Sequence, residues 1–175
     1  MKKTSIEGIR IIDMLQHKDT RGSYTEIFRD TWHYTPELLQ WSIVQSRAHA
    51  IRGMRIHIIH YDHTCLVHGK ATYFLKDLRK GSPTEGINQY IKLSGEKLQI
   101  VVTPPGIAHG FYFSQYCVFA VGITTHYNPK DELGFYYKDP EAGLTWPNVR
   151  LIVSARDKQS PPLKKVLPLM PTWKK

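Results

Sequence analysis

The stretch from residue 52 to residue 63 concentrates side chains that can move protons or bind anions. It reads Arg-Gly-Met-Arg-Ile-His-Ile-Ile-His-Tyr-Asp-His. If the stretch is a β-strand, alternate residues share a face, so Arg55 and His57 point the same way. Burying an arginine and a histidine without partners is costly. This face is therefore either exposed to solvent or part of a polar pocket.

Histidines are frequent here, with nine in a chain of 175 residues. Imidazole is a common ligand of zinc and iron, so a metal site has to be weighed. His57 and His60 are three positions apart, which predicts opposite faces of a strand. The chain also has no pair of histidines separated by one residue. We therefore predict no metal site and no other cofactor.

A further histidine follows a rigid turn. Residues 103–106, Thr-Pro-Pro-Gly, predict a fixed turn because proline restricts φ and glycine admits positive φ. His109 then lies at the start of the next strand, where its ring can face a cavity; the alternative is an incidental histidine beside a turn. Asp157 can orient an imidazole or a guanidinium, or be an ordinary surface aspartate. Nucleophile-elbow, phosphate-loop and dinucleotide fingerprints are lacking.

The charge balance favours an anionic ligand. Lys and Arg number 24 against 15 Asp and Glu, a formal net charge of +9. Because the basic residues are scattered, nucleic acid is not expected, and two interpretations stay open: a solvated basic surface, or a nucleotide or phosphate ligand. No apolar run approaches the ~20 residues of a membrane span, so no membrane partner is expected. Two cysteines form no disulfide framework, which indicates the cytoplasm.

The spacing of apolar runs predicts an all-β domain. Short runs rich in Ile, Val, Tyr and Phe recur about every ten residues with turn residues between them. We predict strands at residues 9–14, 42–46, 54–59, 71–75, 89–93, 98–102, 110–113 and 118–123. The whole chain, 1–175, is expected to form a single domain. Its Pro- and Lys-rich tail, 160–175, is expected to be extended or loosely ordered.

Several segments in a fixed order resemble one known family. Residues 19–26 read Asp-Thr-Arg-Gly-Ser-Tyr-Thr-Glu, and residues 77–84 read Asp-Leu-Arg-Lys-Gly-Ser-Pro-Thr. Further matching segments are 52–54, 105–111, 125–129, 138–140, 143–147 and 154–157. Together they resemble the dTDP-4-dehydrorhamnose 3,5-epimerase family, and the resemblance extends from about residue 6 to about residue 163.

The resemblance implies a cupin jelly roll, or double-stranded β-helix, in a homodimer whose subunits exchange strands. It implies a pocket for a nucleotide-diphospho-4-keto-sugar, with Arg21 and Arg52 on the diphosphate and Glu26 and Gln40 as polar pocket groups. Family members remove a proton beside the ketone and return one to the opposite face. A base, an enolate-stabilising group and an acid are needed.

The catalytic pair of the family is replaced in this chain. Arg55 occupies the position of the family's general base, and a guanidinium stays protonated at neutral pH. Val121 occupies the position of the family's proton-donating tyrosine, or Gly122 does if the alignment is shifted by one residue, and neither has a proton to donate. His109 and Asp157 match retained positions. An ion pair between Arg55 and Asp157 would replace the family's His–Asp dyad, or the guanidinium could stabilise an enolate.

Substitutes for the missing groups lie close by in the sequence. His57 is the preferred replacement base, with His109 second, and the candidate acids are Tyr127 and His126. The resulting expectation is an epimerase-like isomerase with a divergent active site. Two alternatives stay open. The first is a cupin recruited to another biosynthetic reaction of a carbonyl compound, such as isomerisation, dehydration or cyclisation. The second is a cupin that binds a ligand without catalysis.

Overall fold

The computed structural model describes residues 4–34 and 36–174 and consists mainly of β-strands. The strands are β1 (Arg10–Asp13), β2 (His17–Asp19), β3 (Gly22–Tyr24), β4 (Gln40–Ser46), β5 (Ile51–Ile56), β6 (Asp62–His68), β7 (Lys70–Asp77), β8 (Asn88–Ser94), β9 (Gln99–Thr103), β10 (Ile107–Phe113), β11 (Cys117–Ile123) and β12 (Leu133–Gly134). Two short helices, α1 (Ala155–Lys158) and α2 (Leu163–Val166), lie near the C-terminus.

Two five-stranded antiparallel sheets form the body of the molecule. The first has the order β1-β9-β6-β11-β4, and the second has the order β12-β5-β10-β7-β8. Strands β2 and β3 form a separate hairpin. Sequence neighbours such as β5 and β6 belong to different sheets, as expected of a jelly roll. The predicted all-β jelly-roll class is confirmed.

The main core fills the space between the two sheets. Leu66 and Phe119 of the first sheet meet Tyr73, Phe111 and Phe113 of the second, and all five are buried. All seven residues of β10 are buried, because the second sheet is covered on both faces. The stacked rings form a rigid floor beneath the cavity described below.

The C-terminal segment differs from its prediction. It covers the outer face of the second sheet and buries Leu163, Val166 and Met170 against Phe135. Pro162 and Pro168, two of the four prolines that suggested an extended tail, stand at helix starts, where a missing N–H costs nothing. The apolar spacing of three and four residues places these side chains on one face.

The turn before β10 is as predicted, whereas the region after β5 is not. Gly106 has a φ of +83°, so the Pro-Pro-Gly turn uses the conformation that glycine permits. Strand β5 ends at Ile56 rather than continuing to residue 59. Residues 57–61 form a loop, and β6, which was not predicted, begins at Asp62.

Both cysteines are free and buried. Burial raises the pKa of the Cys65 thiol to about 11, and burial also raises the pKa of Cys117. These thiols therefore stay protonated and take no part in the chemistry considered below. Among the described residues, no helix has both the length and the apolar character needed to cross a membrane.

Candidate active site

A cavity of about 830 Å³ opens between the two sheets. Its walls come from strands of both sheets and from two loops, residues 127–132 and 152–157. The size is in the range of pockets that hold small organic ligands. Apolar lining comes from Phe111 and Phe119, while the charged lining concentrates at the end where β5 stops.

Arg55 and Asp157 form an ion pair in the cavity wall. The Arg55 guanidinium donates from Nη2 to Asp157 Oδ1, which confirms the predicted pairing. Asp157 is held in place by α1, because the Ser154 hydroxyl accepts a hydrogen bond from its backbone N–H at 3.1 Å. Arg55 Nε lies 3.9 Å from Glu132 Oε2. The guanidinium is thus fixed at the cavity surface.

His57 lines the same cavity, directly after the end of β5. Its Nδ1 donates to the backbone carbonyl of Asp131 at 3.2 Å and lies 3.5 Å from Glu132 Oε1. A carbonyl oxygen only accepts, so Nδ1 carries the hydrogen, and in the neutral ring Nε2 carries the lone pair. Nε2 lies 3.7 Å from Asp62 Oδ2, beyond hydrogen-bond distance. Its lone pair is therefore available.

His109 faces the cavity from β10, as the turn predicts. Its Nδ1 donates to the carbonyl of Ile107 at 3.1 Å, and its Nε2 lies 3.2 Å from Asp62 Oδ2. Burial lowers the pKa of His109 to about 4, although the Asp62 carboxylate acts in the opposite direction. His109 is consequently a neutral imidazole at physiological pH.

The prediction that His57 and His60 lie on opposite faces of a strand is wrong. Their rings stack with centroids 4.1 Å apart, because the chain leaves the strand at Ile56 and the period-two alternation ends there. Donor atoms of His57, His60 and Asp62 all lie within 4.8 Å of one another. A metal ion can therefore be considered at a place where the spacing argued against one.

We call His57, His60, His109 and Asp62 the histidine cluster. Burial alone would raise the pKa of Asp62, but the surrounding histidines outweigh it and the pKa is lowered. Burial lowers the pKa of His60, while Asp62 and Asp131 raise it more, so the net shift is upward. The cluster therefore favours an ionised carboxylate with positive charge nearby.

Sequence reasoning missed three acidic residues at this site. Asp62 was hidden in a segment not recognised as a strand, and Asp131 and Glu132 come from a distant turn. Asp131 Oδ1 accepts a hydrogen bond from the backbone N–H of Ile58 at 2.8 Å. No local pattern distinguishes these carboxylates from surface residues. The pairing of β12 with β5 brings Glu132 to the cavity, whereas Asp62 reaches it from the start of β6.

The candidate proton donors occupy different places. Val121 lines the cavity and provides no donor there. Tyr127 also lines it, is 57% exposed, and has its backbone N–H bonded to Gln40 Oε1 at 2.8 Å. His126 is exposed and lies outside the cavity lining. Tyr73 lines the cavity, but burial raises the pKa of its phenol.

The predicted diphosphate residues are separated within one chain. Arg52 lines the cavity, with its Nε donating to the Ser46 hydroxyl at 2.8 Å. Arg21 lies on the β2–β3 hairpin and pairs with Asp19 at 2.6 Å, outside the cavity lining. Glu26 follows the hairpin and pairs with Arg29 at 2.5 Å.

Fold and site together define a jelly-roll protein with a charged cavity between its two sheets. A family model described as dTDP-4-dehydrorhamnose 3,5-epimerase matches residues 3–165. The chain therefore belongs to the dTDP-4-dehydrorhamnose 3,5-epimerase family.

Individual relatives agree with this assignment. The dTDP-4-dehydrorhamnose 3,5-epimerase of Methanothermobacter thermautotrophicus is 28% identical over 173 residues, covering 93% of each chain. A dTDP-4-dehydro-6-deoxyglucose 3-epimerase from a Streptomyces species is 27% identical, covering 99% of this chain and 94% of its own.

Solved structures give the same result. The dTDP-6-deoxy-D-glucose-3,5-epimerase RmlC of Legionella pneumophila Philadelphia 1, in complex with dTDP-4-keto-L-rhamnose, matches with a TM-score of 0.91 and 27% identity. That match covers 98% of this chain and 97% of the Legionella chain. ChmJ, a 3'-monoepimerase from Streptomyces bikiniensis in complex with dTDP-quinovose, matches with a TM-score of 0.90 and 26% identity. That match covers 99% of this chain and 93% of the ChmJ chain.

Proposed function

We propose that the protein is an epimerase-type isomerase of a nucleotide-diphospho-4-keto-sugar that uses a rearranged set of proton-transfer groups. The observation that carries this proposal is the available lone pair of His57 Nε2 in the same cavity wall as the Arg55–Asp157 ion pair. An imidazole whose Nε2 makes no hydrogen bond, beside a fixed guanidinium, supplies a base and an anion-stabilising group. Both are needed for enolisation next to a ketone.

The proposed reaction begins when His57 Nε2 takes the proton from the carbon beside the ketone. The C–H electron pair becomes part of an enolate, and its negative oxygen is stabilised by the Arg55 guanidinium. Asp157 holds Arg55 in position through that ion pair. Tyr127, at the mouth of the cavity, is the proposed donor for reprotonation on the other face, with His126 as the more remote candidate. His109 is proposed as a neutral hydrogen-bonding group.

Nucleotide recognition is assigned to a homodimer, since Arg21 and Glu26 lie outside the cavity of their own chain. Two features support this assignment. The β2–β3 hairpin is exposed at all its residues and belongs to neither large sheet. Strand β4, at the edge of its sheet, exposes Trp41 and Ile43. A second copy would cover these residues.

In the proposed dimer, the hairpin of one copy brings Arg21 to the diphosphate held by Arg52 of the other copy, with Glu26 and Gln40 as polar neighbours. Subunit mixing tests this arrangement. R21A and H57Q homodimers are each expected to be inactive. Their heterodimers contain one intact site and regain activity. Failure of the mixture to regain activity, with exchange of subunits verified, would overturn the shared site.

The proposed compartment is the cytoplasm, where free thiols stay reduced.

Solvent exchange tests the reaction itself. The protein is incubated with a dTDP-4-keto-6-deoxy sugar in deuterated water, and the recovered sugar is analysed by NMR. Deuterium is expected at C3, at C5 or at both. The H68Q variant is the matched control, because His68 is exposed and far along β6 from the cavity. Recovery of unlabelled sugar would overturn the proposal.

A double substitution tests whether the family frame is intact. R55H with V121Y restores the histidine and tyrosine that the family places at these positions. If the substrate binds as in the family, the double variant exchanges deuterium faster than the wild-type protein. An unchanged or lower rate would contradict the proposed binding geometry, provided that circular dichroism gives the wild-type spectrum.

Binding of thymidine diphosphate distinguishes this proposal from the alternative, in which the enzyme acts on a carbonyl compound that carries no nucleotide. At 100 times its dissociation constant, a ligand that binds only the native state adds about 2.7 kcal/mol. For a chain of this size the unfolding midpoint rises by roughly 5–10 °C. No shift at millimolar concentration would favour a substrate without a nucleotide. A shift without deuterium exchange would favour a non-catalytic binding protein.

A further inference from the structure

Two buried carboxylates, one of them in the cavity wall, have no permanent positive charge beside them in the described part of the chain. Asp62 is 5% exposed and Asp131 is 2% exposed. Within residues 4–34 and 36–174, the ion-pair partners recorded for these two aspartates are histidines only. Glu132 and Asp157, by contrast, face the guanidinium groups of Arg156 and Arg55. Buried carboxylates need a compensating cation.

The imidazoles around Asp62 are oriented like metal ligands. His57 and His109 each donate from Nδ1 to a backbone carbonyl, so their Nε2 lone pairs face the Asp62 carboxylate. His60 differs, because its Nδ1 lies 2.9 Å from Asp131 Oδ2, a buried oxygen that accepts no hydrogen bond from the described residues, and its Nε2 lies 3.6 Å from Asp62 Oδ1. Outer acceptors like the carbonyls bonded to His57 and His109 fix the tautomer of metal-binding histidines. Lone pairs that face a carboxylate repel it, so a cation between them would stabilise the arrangement.

The separations of the donor atoms fit a small divalent ion. Zinc binds imidazole nitrogen and carboxylate oxygen at roughly 2.0–2.2 Å, so neighbouring ligands of a tetrahedral site are about 3.4 Å apart. His57 Nε2 lies 3.7 Å from Asp62 Oδ2, and His60 Nε2 lies 3.6 Å from the other oxygen, Asp62 Oδ1. These separations are close to a tetrahedral edge and longer than ordinary hydrogen bonds.

We propose that His57, His60 and Asp62 bind one divalent transition-metal ion, such as zinc. Three protein ligands leave a fourth position open, as in metal sites that accept water or a substrate oxygen. The cavity lined by His57 and Asp62 gives the ion an access path. The site goes beyond the proposed function. One lone pair on His57 Nε2 holds either the metal ion or the transferred proton, so an occupied site would block the proposed base.

Metal titration of the tag-free protein, stripped with a chelator and without substrate, tests the site. Zn²⁺ bound after dialysis is measured by mass spectrometry, and Co²⁺ is followed by its visible absorption, which is intense only at low coordination number. We expect one equivalent of bound metal. H60Q and D62N are each expected to weaken binding at least about 100-fold, since even outer-shell changes cost 10–100-fold. H68Q, on an exposed histidine, is the control and is expected to bind as the wild type.

Two results would overturn the site. One is the absence of binding at submillimolar Zn²⁺, which would mean that protonated histidines alone balance the carboxylates. The other is binding that H60Q leaves unchanged, which would place the ion on surface histidines. H60Q retains both buried carboxylate groups and decides the matter if D62N does not fold. Because no substrate is present, either result is independent of the deuterium-exchange test of the proposed function.

Discussion

Two buried polar groups of this molecule are built on opposite principles. The first, which we call the Asp77 knot, comprises Asp77, Arg79, Ser82 and Thr84. Arg79 donates to both carboxylate oxygens of Asp77, from Nε at 2.9 Å and from Nη2 at 2.7 Å. The hydroxyls of Ser82 and Thr84 donate to Oδ2 at 2.6 and 2.7 Å. Every strong acceptor site of the carboxylate has a donor.

The histidine cluster has the reverse arrangement. Its imidazoles direct their donors outward, to the carbonyls of Asp131 and Ile107, and their lone pairs inward, to Asp62. The Asp77 knot is closed and remote from the cavity, whereas the cluster borders it. The comparison indicates that a polar group whose hydrogen bonds are all made has a structural role. Unused lone pairs beside a cavity mark a group available for protons or ions.

The largest effect on stability is expected from D77N. The amide brings N–H groups against the Arg79 guanidinium and leaves a buried charge unpaired, which costs about 3–5 kcal/mol. The unfolding midpoint should fall by roughly 6–20 °C. E37Q, the same change at an exposed carboxylate, is the control and should leave the midpoint nearly unchanged. A D77N midpoint within 2 °C of wild type, by about the same scaling, would refute the structural role of the Asp77 knot.

Acid should remove the contribution of Asp77 in a predictable direction. Burial raises the pKa of Asp77, but the bonds from Arg79, Ser82 and Thr84 outweigh burial and lower it. A lowered folded-state pKa adds stability above the unfolded value of about 3.9 and loses it as pH falls through the folded value. Midpoints measured from pH 6 to pH 2 should therefore converge for wild type and D77N in acid. A constant difference would contradict this linkage.

The smallest effect on stability is expected from H57Q. Nε2 of His57 makes no hydrogen bond at 3.7 Å from Asp62, and only the bond from Nδ1 to the Asp131 carbonyl is lost or replaced. A typical hydrogen bond contributes about 1 kcal/mol, so the midpoint should change by roughly 2–4 °C. Calorimetry of H57Q beside D77N measures the contrast directly. A larger loss in H57Q would make the histidine cluster a structural group too.

The sequence predicts those parts of the molecule whose signals are local. The Pro-Pro-Gly turn and the apolar run after it give β10 and place His109 at the cavity. The Asp77 knot closes within eight residues of a matching segment. Met170 and Val166 had a helical spacing that the surrounding prolines obscured.

Non-local contacts explain what the sequence leaves open. The alternation argument for His57 and His60 fails because nothing in the apolar run of residues 54–59 marks the end of β5 at Ile56. Glu132 reaches the cavity beside β12, a strand of two residues. A segment that short has no periodicity to detect.

The most direct test of the account is the rate of deuterium exchange by metal-free H57Q, measured beside wild type and H68Q with the same 4-keto sugar nucleotide. Loss of a general base is expected to slow exchange by about 10²–10⁴-fold while the unfolding midpoint and thymidine diphosphate binding stay near wild type. H68Q should exchange at the wild-type rate. Exchange by H57Q at the wild-type rate would place the proton-transfer base outside the histidine cluster and contradict the account.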